Sequence, residues 1–186
     1  MIRALARLFS ALTLAVLICG LLVVVPFRPY PGLPELELPP TQSQPLTGPV
    51  SRILVEKSAR RMQVFEGDRL MRVYRIRLGF SPQGDKLQEG DGRTPEGVFR
   101  IDRRNAGSAY HLSLGLDYPQ PEDRARAAAQ GVSPGGDIFL HGQPNQLPEG
   151  LTLGHDWTAG CIALADAEIA ELFAATPIGA VVEIRP

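Results

Sequence analysis

Apolar and polar positions divide the chain into three stretches. Leu8 to Val25 is an apolar run behind Arg3 and Arg7, with no acidic residue before Glu35. A positive segment followed by an apolar run of this length approaches a bilayer span. The run ends Val23-Val24-Val25-Pro26-Phe27-Arg28, without a small-x-small cleavage site. The expectation for residues 1–25 is therefore an uncleaved signal anchor in preference to a cleaved signal peptide, with its positive end cytoplasmic. Residues 26–50 carry eight prolines and read as an extended linker.

Strand-like alternation begins near Ser51. Arg52–Glu56 and Arg61–Phe65 read as strands, with Glu66-Gly67-Asp68 as a turn. Leu70–Leu78 reads as a third strand, with Tyr74, Ile76 and Leu78 on one face and Val73, Arg75 and Arg77 on the other. Phe80 to Gly97 is polar, glycine-rich and without period, so it predicts a long surface loop. It lacks the Gly-Lys-Ser/Thr of a phosphate cradle and the acidic spacing of a calcium loop. Val98–Ile101 and Ser108–Leu114 read as strands, and Glu122–Gln130 as a short helix ended by Gly131. Pro134-Gly135-Gly136 turns the chain into Asp137–Leu140, an apolar strand with His141 at its end. Gln143–Gly154 is a loop. Asp166 is placed as the cap of a helix over Ala167–Ala175, which buries Ile169, Leu172 and Phe173, and Ala180–Ile184 is the last strand. The pattern predicts one β-rich domain over 51–186 with a few short helices.

Composition adds limits. The chain has 186 residues and a net charge of −1, which provides no field for nucleic acid. Hydrophobic content of 44% supports a core, and Gly 19 with Pro 17 agrees with many turns. Eight basic residues face three acidic ones between Ser51 and Gly79, read as a solvated strand face in preference to a surface for anionic polymer.

The chain has two cysteines. Cys19 lies in the apolar run, so Cys161 has no evident disulfide partner. A free thiol outside the cytoplasm needs a reason. His141-Gly142 upstream of Thr158-Ala159-Gly160-Cys161 offers one, because an imidazole that takes the thiol proton makes a nucleophile. The expected resting state is a thiolate–imidazolium pair. Ala159 and Gly160 allow a sharp bend that points N–H groups at a developing oxyanion. A metal site built from His111, His141, His155 and Cys161 matches no compact zinc spacing, and no cofactor is expected. In papain-like peptidases the cysteine precedes the histidine; here the order is reversed.

The segment from His141-Gly142 to Gly160-Cys161 resembles the catalytic motif of the L,D-transpeptidases, the YkuD-type catalytic domain. Gly90-Asp91-Gly92-Arg93-Thr94-Pro95-Glu96-Gly97 is similar to that family's Thr-Pro-x-Gly segment. The usual ending is Ser-His-Gly-Cys-Ile/Val-Arg; here Ala159 and Ala163 stand at the His and Arg positions. Asp156-Trp157-Thr158-x-Gly160-Cys161-Ile162-Ala163 looks like one branch, which includes an enzyme that cuts a lipoprotein off peptidoglycan. The resemblance implies a mainly β fold with a mixed sheet, and acyl transfer on peptidoglycan stem peptides. Cys161 is then the nucleophile and His141 the base, oriented by a backbone carbonyl close to Gly142. The N–H groups of Gly160 and Cys161 are the oxyanion donors. Tyr110, His111, Trp157 and Thr158 are carried as substrate contacts, and Arg93, ahead of Lys86, as the cation for the substrate carboxylate that Ala163 cannot supply. A hydrolase of the same family and a non-catalytic wall-binding module are the competing readings. The partners implied are stem peptides, an envelope lipoprotein and, through the anchor, the inner membrane; the location is the periplasmic side of the cytoplasmic membrane.

Overall fold

The structure is a computed structural model that describes residue 46 and residues 48–186. The expected anchor over 1–25 and nearly all of the linker lie outside the described residues. Among the described residues no helix is long and apolar enough to cross a membrane.

Eight strands and two short helices form the domain. The strands are β1 (Arg52–Glu56), β2 (Arg61–Glu66), β3 (Arg69–Arg75), β4 (Gly97–Ser108), β5 (His111–Leu116), β6 (Phe139–His141), β7 (Ile162–Ala163) and β8 (Val181–Arg185). The helices are α1 (Pro121–Ala129) and α2 (Asp166–Ala175). The sheet runs β3-β2-β1-β8-β4-β5-β6-β7. β1 pairs with β8 and β6 with β7 in parallel; the other pairs are antiparallel.

Two features curl the sheet. β4 pairs with β8 through Gly97–Arg100 and then with β5 from Ile101 onward, with register shifts that bend it. Beyond β3, Arg77 bridges Ala163 and Gly79 bridges Thr158, so the two outer edges of the sheet meet. Joining edges removes unpaired backbone groups that would otherwise invite association. The inside is filled by Ile53, Val55, Val64, Tyr74, Ile76, Leu78, Leu114, Leu140, Ile162 and Ile184, with Ile169 and Leu172 of α2 packed on it.

Three expectations are corrected. Ser108–Leu114 is not one strand: Ser108 ends β4, Ala109-Tyr110 turn, and His111 opens β5 at φ +62°. β4 is twelve residues long, not four, because Asp102–Ser108 is mostly exposed and polar and so carries no hydrophobic signal. Asp166 is the first residue of α2, not its cap. Its carboxylate accepts from the Gln143 N–H at 2.7 Å, tying the loop after β6 to the helix, while Glu168 reaches back to the Ala165 N–H at 2.9 Å. β3 shows the expected burial of Tyr74, but Val73 is buried too.

Several of the basic residues between Ser51 and Gly79 are engaged within the domain, two of them buried. Arg72 is buried on Glu171 of α2, Arg61 pairs with Glu56, and Arg60 pairs with Asp156. Lys57, also buried, donates to the Gly84 and Thr94 carbonyls and to Glu96. It thereby pins the glycine-rich loop to β1.

The loop 80–97 is irregular, as expected, yet tightly organised around Asp91. This carboxylate accepts from buried Lys86 at 2.8 Å and from the N–H groups of Leu87, Gln88 and Arg93. Burial pushes the Asp91 pKa up, but these donors outweigh it and hold it at about 2. Asp91→Ala is expected to destabilise the domain by about 3–5 kcal/mol in denaturant titrations at pH 7, since it strands a buried ammonium. The carboxylate's contribution is fully present above pH 3.8, the unperturbed value, and is lost as pH falls toward about 2. An unchanged midpoint would refute this organising role.

Candidate active site

β6 delivers His141 to the sheet and β7 delivers the segment after Cys161 beside it. The register pairs Leu140 with Ile162 and His141 with Ala163. Sheet geometry therefore brings together two residues that are twenty positions apart in the chain. His141 is buried, and its Nδ1 lies 2.7 Å from the Gly142 carbonyl. A carbonyl only accepts, so Nδ1 carries the hydrogen and the neutral ring leaves Nε2 as the free acceptor. This is the orienting carbonyl expected near Gly142. The ring sits among aromatics, with Tyr110 at 4.7 Å and Trp157 at 5.6 Å between centroids.

Thr158 shapes the turn before Cys161. Its buried hydroxyl accepts from the Gly160 N–H at 3.1 Å and donates to the Cys161 carbonyl at 2.7 Å. The Gly160 N–H is thus engaged by Thr158. Gly160 adopts φ +143°, and a Cβ there would sit 2.7 Å from the Arg93 carbonyl, so only glycine fits. Asp156 is structural: it accepts from the Leu78 N–H and from Arg60, fastening the segment to the strand end beyond β3.

Cys161 opens on a cleft of about 550 Å³ whose wall includes Tyr110, Asp137, Phe139, His141, Trp157 and Thr158. Its Sγ donates to the Asp137 carbonyl at 3.3 Å. Burial pushes the thiol pKa up, against a backbone hydrogen bond with Phe139 that lowers it. Burial also pushes the His141 pKa down, against its bond to Gly142. Both shifts have the same cause: burial disfavours charge on the thiol and on the imidazole, and so works against the thiolate–imidazolium pair expected from the sequence. The sulfur donates to a carbonyl, a contact that favours the thiol over the thiolate.

Of the other expected contacts, Tyr110, Trp157 and Thr158 line the cleft, while His111 and Arg93 do not. His111 follows the hairpin turn and lines a second cavity, formed with the 144–152 loop and the start of α2. Arg93 donates through its guanidinium to the Asp85 carbonyl at 3.2 Å, bracing the glycine-rich loop, and Lys86 is committed to Asp91. Ala163 is buried and exchanges backbone hydrogen bonds with Arg77 at 2.8 and 2.9 Å, and its methyl group brings no cation to the cleft. The indole N–H of Trp157 is buried and has no hydrogen-bond partner among the described residues.

Sequence reasoning missed Asp137 and Phe139 on the cleft wall. Asp137 stands at φ +53° after Pro134-Gly135-Gly136. That turn composition is a weak signal for a residue in a special conformation.

A curled mixed sheet holding a cysteine and a histidine at one cleft defines a class of β-rich cysteine enzyme. The chain belongs to the L,D-transpeptidase catalytic domain family (YkuD), whose model matches residues 51–184. Members of this family are cysteine L,D-transpeptidases that act on peptidoglycan. Among solved structures the chain is similar to the helical cell shape determining protein Pgp2 from Campylobacter jejuni. The identity is 27% with a TM-score of 0.56, covering 75% of this chain and 48% of that one. The chain thus spans about half the length of that relative. Bd1075 from Bdellovibrio bacteriovorus shares the fold at 21% identity and a TM-score of 0.50, over 80% of this chain and 54% of that one. No curated protein matches the chain.

Proposed function

We propose that residues 51–186 are a catalytic domain that transfers peptidoglycan stem peptides through a Cys161 thioester. The observation that carries this reading is the juxtaposition of His141 and Cys161 on one cleft, with Nδ1 bonded to the Gly142 carbonyl so that Nε2 can accept a proton. Cys161 Sγ attacks the carbonyl between the third stem residue and the terminal D-Ala as Nε2 of His141 takes the thiol proton. In this reading the transfer accompanies attack, because burial disfavours charge on both groups beforehand. The Cys161 N–H stabilises the oxyanion, since the Gly160 N–H is held by Thr158. The imidazolium then protonates the departing D-Ala amine, leaving a thioester and a neutral imidazole. A stem side-chain amine attacks the thioester, His141 removes its proton, and the thiol is regenerated with a new amide.

The Asp156–Ala163 signature supports hydrolysis as a second reading, in which water or reversal of anchoring releases a lipoprotein or a cross-link. The likeness to Pgp2 supports a role in cell shape. The reading includes residues 1–25 as an anchor and 26–50 as a spacer, with the catalytic domain on the periplasmic side. Incubating the full-length chain with defined muropeptides and with lipoprotein-linked peptidoglycan, followed by mass spectrometry, tests the reading. Loss of D-Ala with a 3–3 cross-link supports transfer; loss without a cross-link, or free lipoprotein, supports hydrolysis. No product and no mass added to Cys161 would sink both.

A further inference from the structure

One charged pair at the rim of the cleft is not used by the acyl transfer. Arg103 on β4, Gly115 on β5 and Phe139 on β6 are successive cross-strand partners. The Arg103 side chain lies across Gly115 and reaches Phe139, with its guanidinium carbon 4.5 Å from the ring centroid. A Cβ at Gly115 would come within 2.5 Å of Arg103 Cγ and 2.8 Å of Nε, so the absence of a side chain there makes the path. One guanidinium nitrogen is held by both oxygens of Asp102, at 2.8 and 2.9 Å. The other donates to Asp137 at 3.0 Å. Asp137 is mostly exposed and lines the cleft, and its main-chain carbonyl is the group that accepts from Cys161 Sγ.

The guanidinium is therefore fixed by Asp102, Phe139 and the gap at Gly115, while its bond to Asp137 is open to solvent. An exposed ion pair contributes little net stability, so exchanging Asp137 for another anion costs little. Exchange leaves a cation and a carboxylate side by side, a short distance from the nucleophile. That arrangement complements a group that carries a carboxylate and an ammonium side by side, as the end of an amino-acid side chain can. A planar guanidinium fork suits the carboxylate.

Resting on the proposed acyl transfer, we propose that Arg103 and Asp137 read the zwitterionic end of the third stem residue's side chain, with Arg103 binding its carboxylate and Asp137 its ammonium.

The test compares two stem tetrapeptides that differ at residue three. One carries meso-diaminopimelate; the other carries lysine, the same side chain without its distal carboxylate. For the full-length protein, kcat/KM for D-Ala release is expected to favour the diaminopimelate peptide, and Arg103→Gln should reduce that ratio by roughly 10–100-fold, the scale of a hydrogen bond to a charged group. Arg103→Lys should restore part of the ratio. Asp137→Asn should weaken both peptides, since both carry the ammonium. A ratio that is the same in the native protein and in Arg103→Gln overturns the assignment, and because it is a ratio, partial unfolding cannot mimic the effect. Calorimetric binding of both peptides to the Cys161→Ala protein reads recognition without chemistry. Arg103-dependent discrimination there, with no turnover by the native protein, would remove the acyl-transfer reading and keep this one; equal affinity for both peptides would remove this one.

Discussion

Cys161→Ala is expected to eliminate D-Ala release from stem tetrapeptides and every covalent adduct, with kcat/KM falling on the order of 10⁴–10⁶-fold. The reason is that the proposed route has one bond-forming atom. Among the described side chains of the cleft wall, Cys161 is the one thiol; of the hydroxyls there, Thr158 is bonded both to the Gly160 N–H and to the Cys161 carbonyl, and Ser108 accepts from the Tyr110 N–H. The substitution removes one sulfur and its 3.3 Å hydrogen bond to Asp137, so the fold and its melting temperature should change little. Intact-mass spectrometry after mixing with substrate checks both points. A Cys161→Ala protein that still turns over stem peptides would assign the chemistry elsewhere, and one that still carries out its function in cells without turnover would favour a wall-binding module.

Removing the base should cost nearly as much. His141→Ala is expected to lower kcat/KM by roughly 10²–10⁴-fold, the range of a positioned acid–base group. The pH profile carries the sharper test. Burial lowers the His141 pKa below its ordinary 6.5. The imidazole must be neutral to accept the thiol proton, so activity should persist below pH 6.5 and decline only as pH falls through the lowered value. The Cys161 pKa is raised, again by burial. A small neutral electrophile should therefore alkylate the free protein slowly at neutral pH, with the rate rising only above the ordinary thiol range. An acid limb at or above pH 6.5, or rapid alkylation near pH 6, would show a preformed ion pair and contradict this account.

Both effects trace to desolvation, and this is where sequence and structure part. A histidine followed by a Thr-x-Gly-Cys segment points to a reacting pair, because the pairing depends on residue identity and on a glycine that the turn requires. Its resting protonation does not follow. It is a sum over the walls that Tyr110, Trp157 and Phe139 build from three separate parts of the chain.

The amino-acid sequence by itself determined the strands whose alternation is local and half-buried: Arg52–Glu56, Arg61–Glu66 and the last strand, each within a residue of its observed span. It also determined the irregular loop 80–97 and the helices. These are legible because period, turn chemistry and capping act over a few residues. Tertiary structure alone decided that β4 extends through polar Asp102–Ser108, since pairing to β5 stabilises a strand that buries little. It alone turned His111 away from the cleft, committed Arg93 to the Asp85 carbonyl, and buried Ala163 between the partners of two strands. It alone brought Arg103 within 3.0 Å of Asp137 across 34 positions of chain, through a gap at Gly115 that no local pattern announces. Such contacts depend on register between strands distant in sequence, and register is set by the packing of the whole sheet.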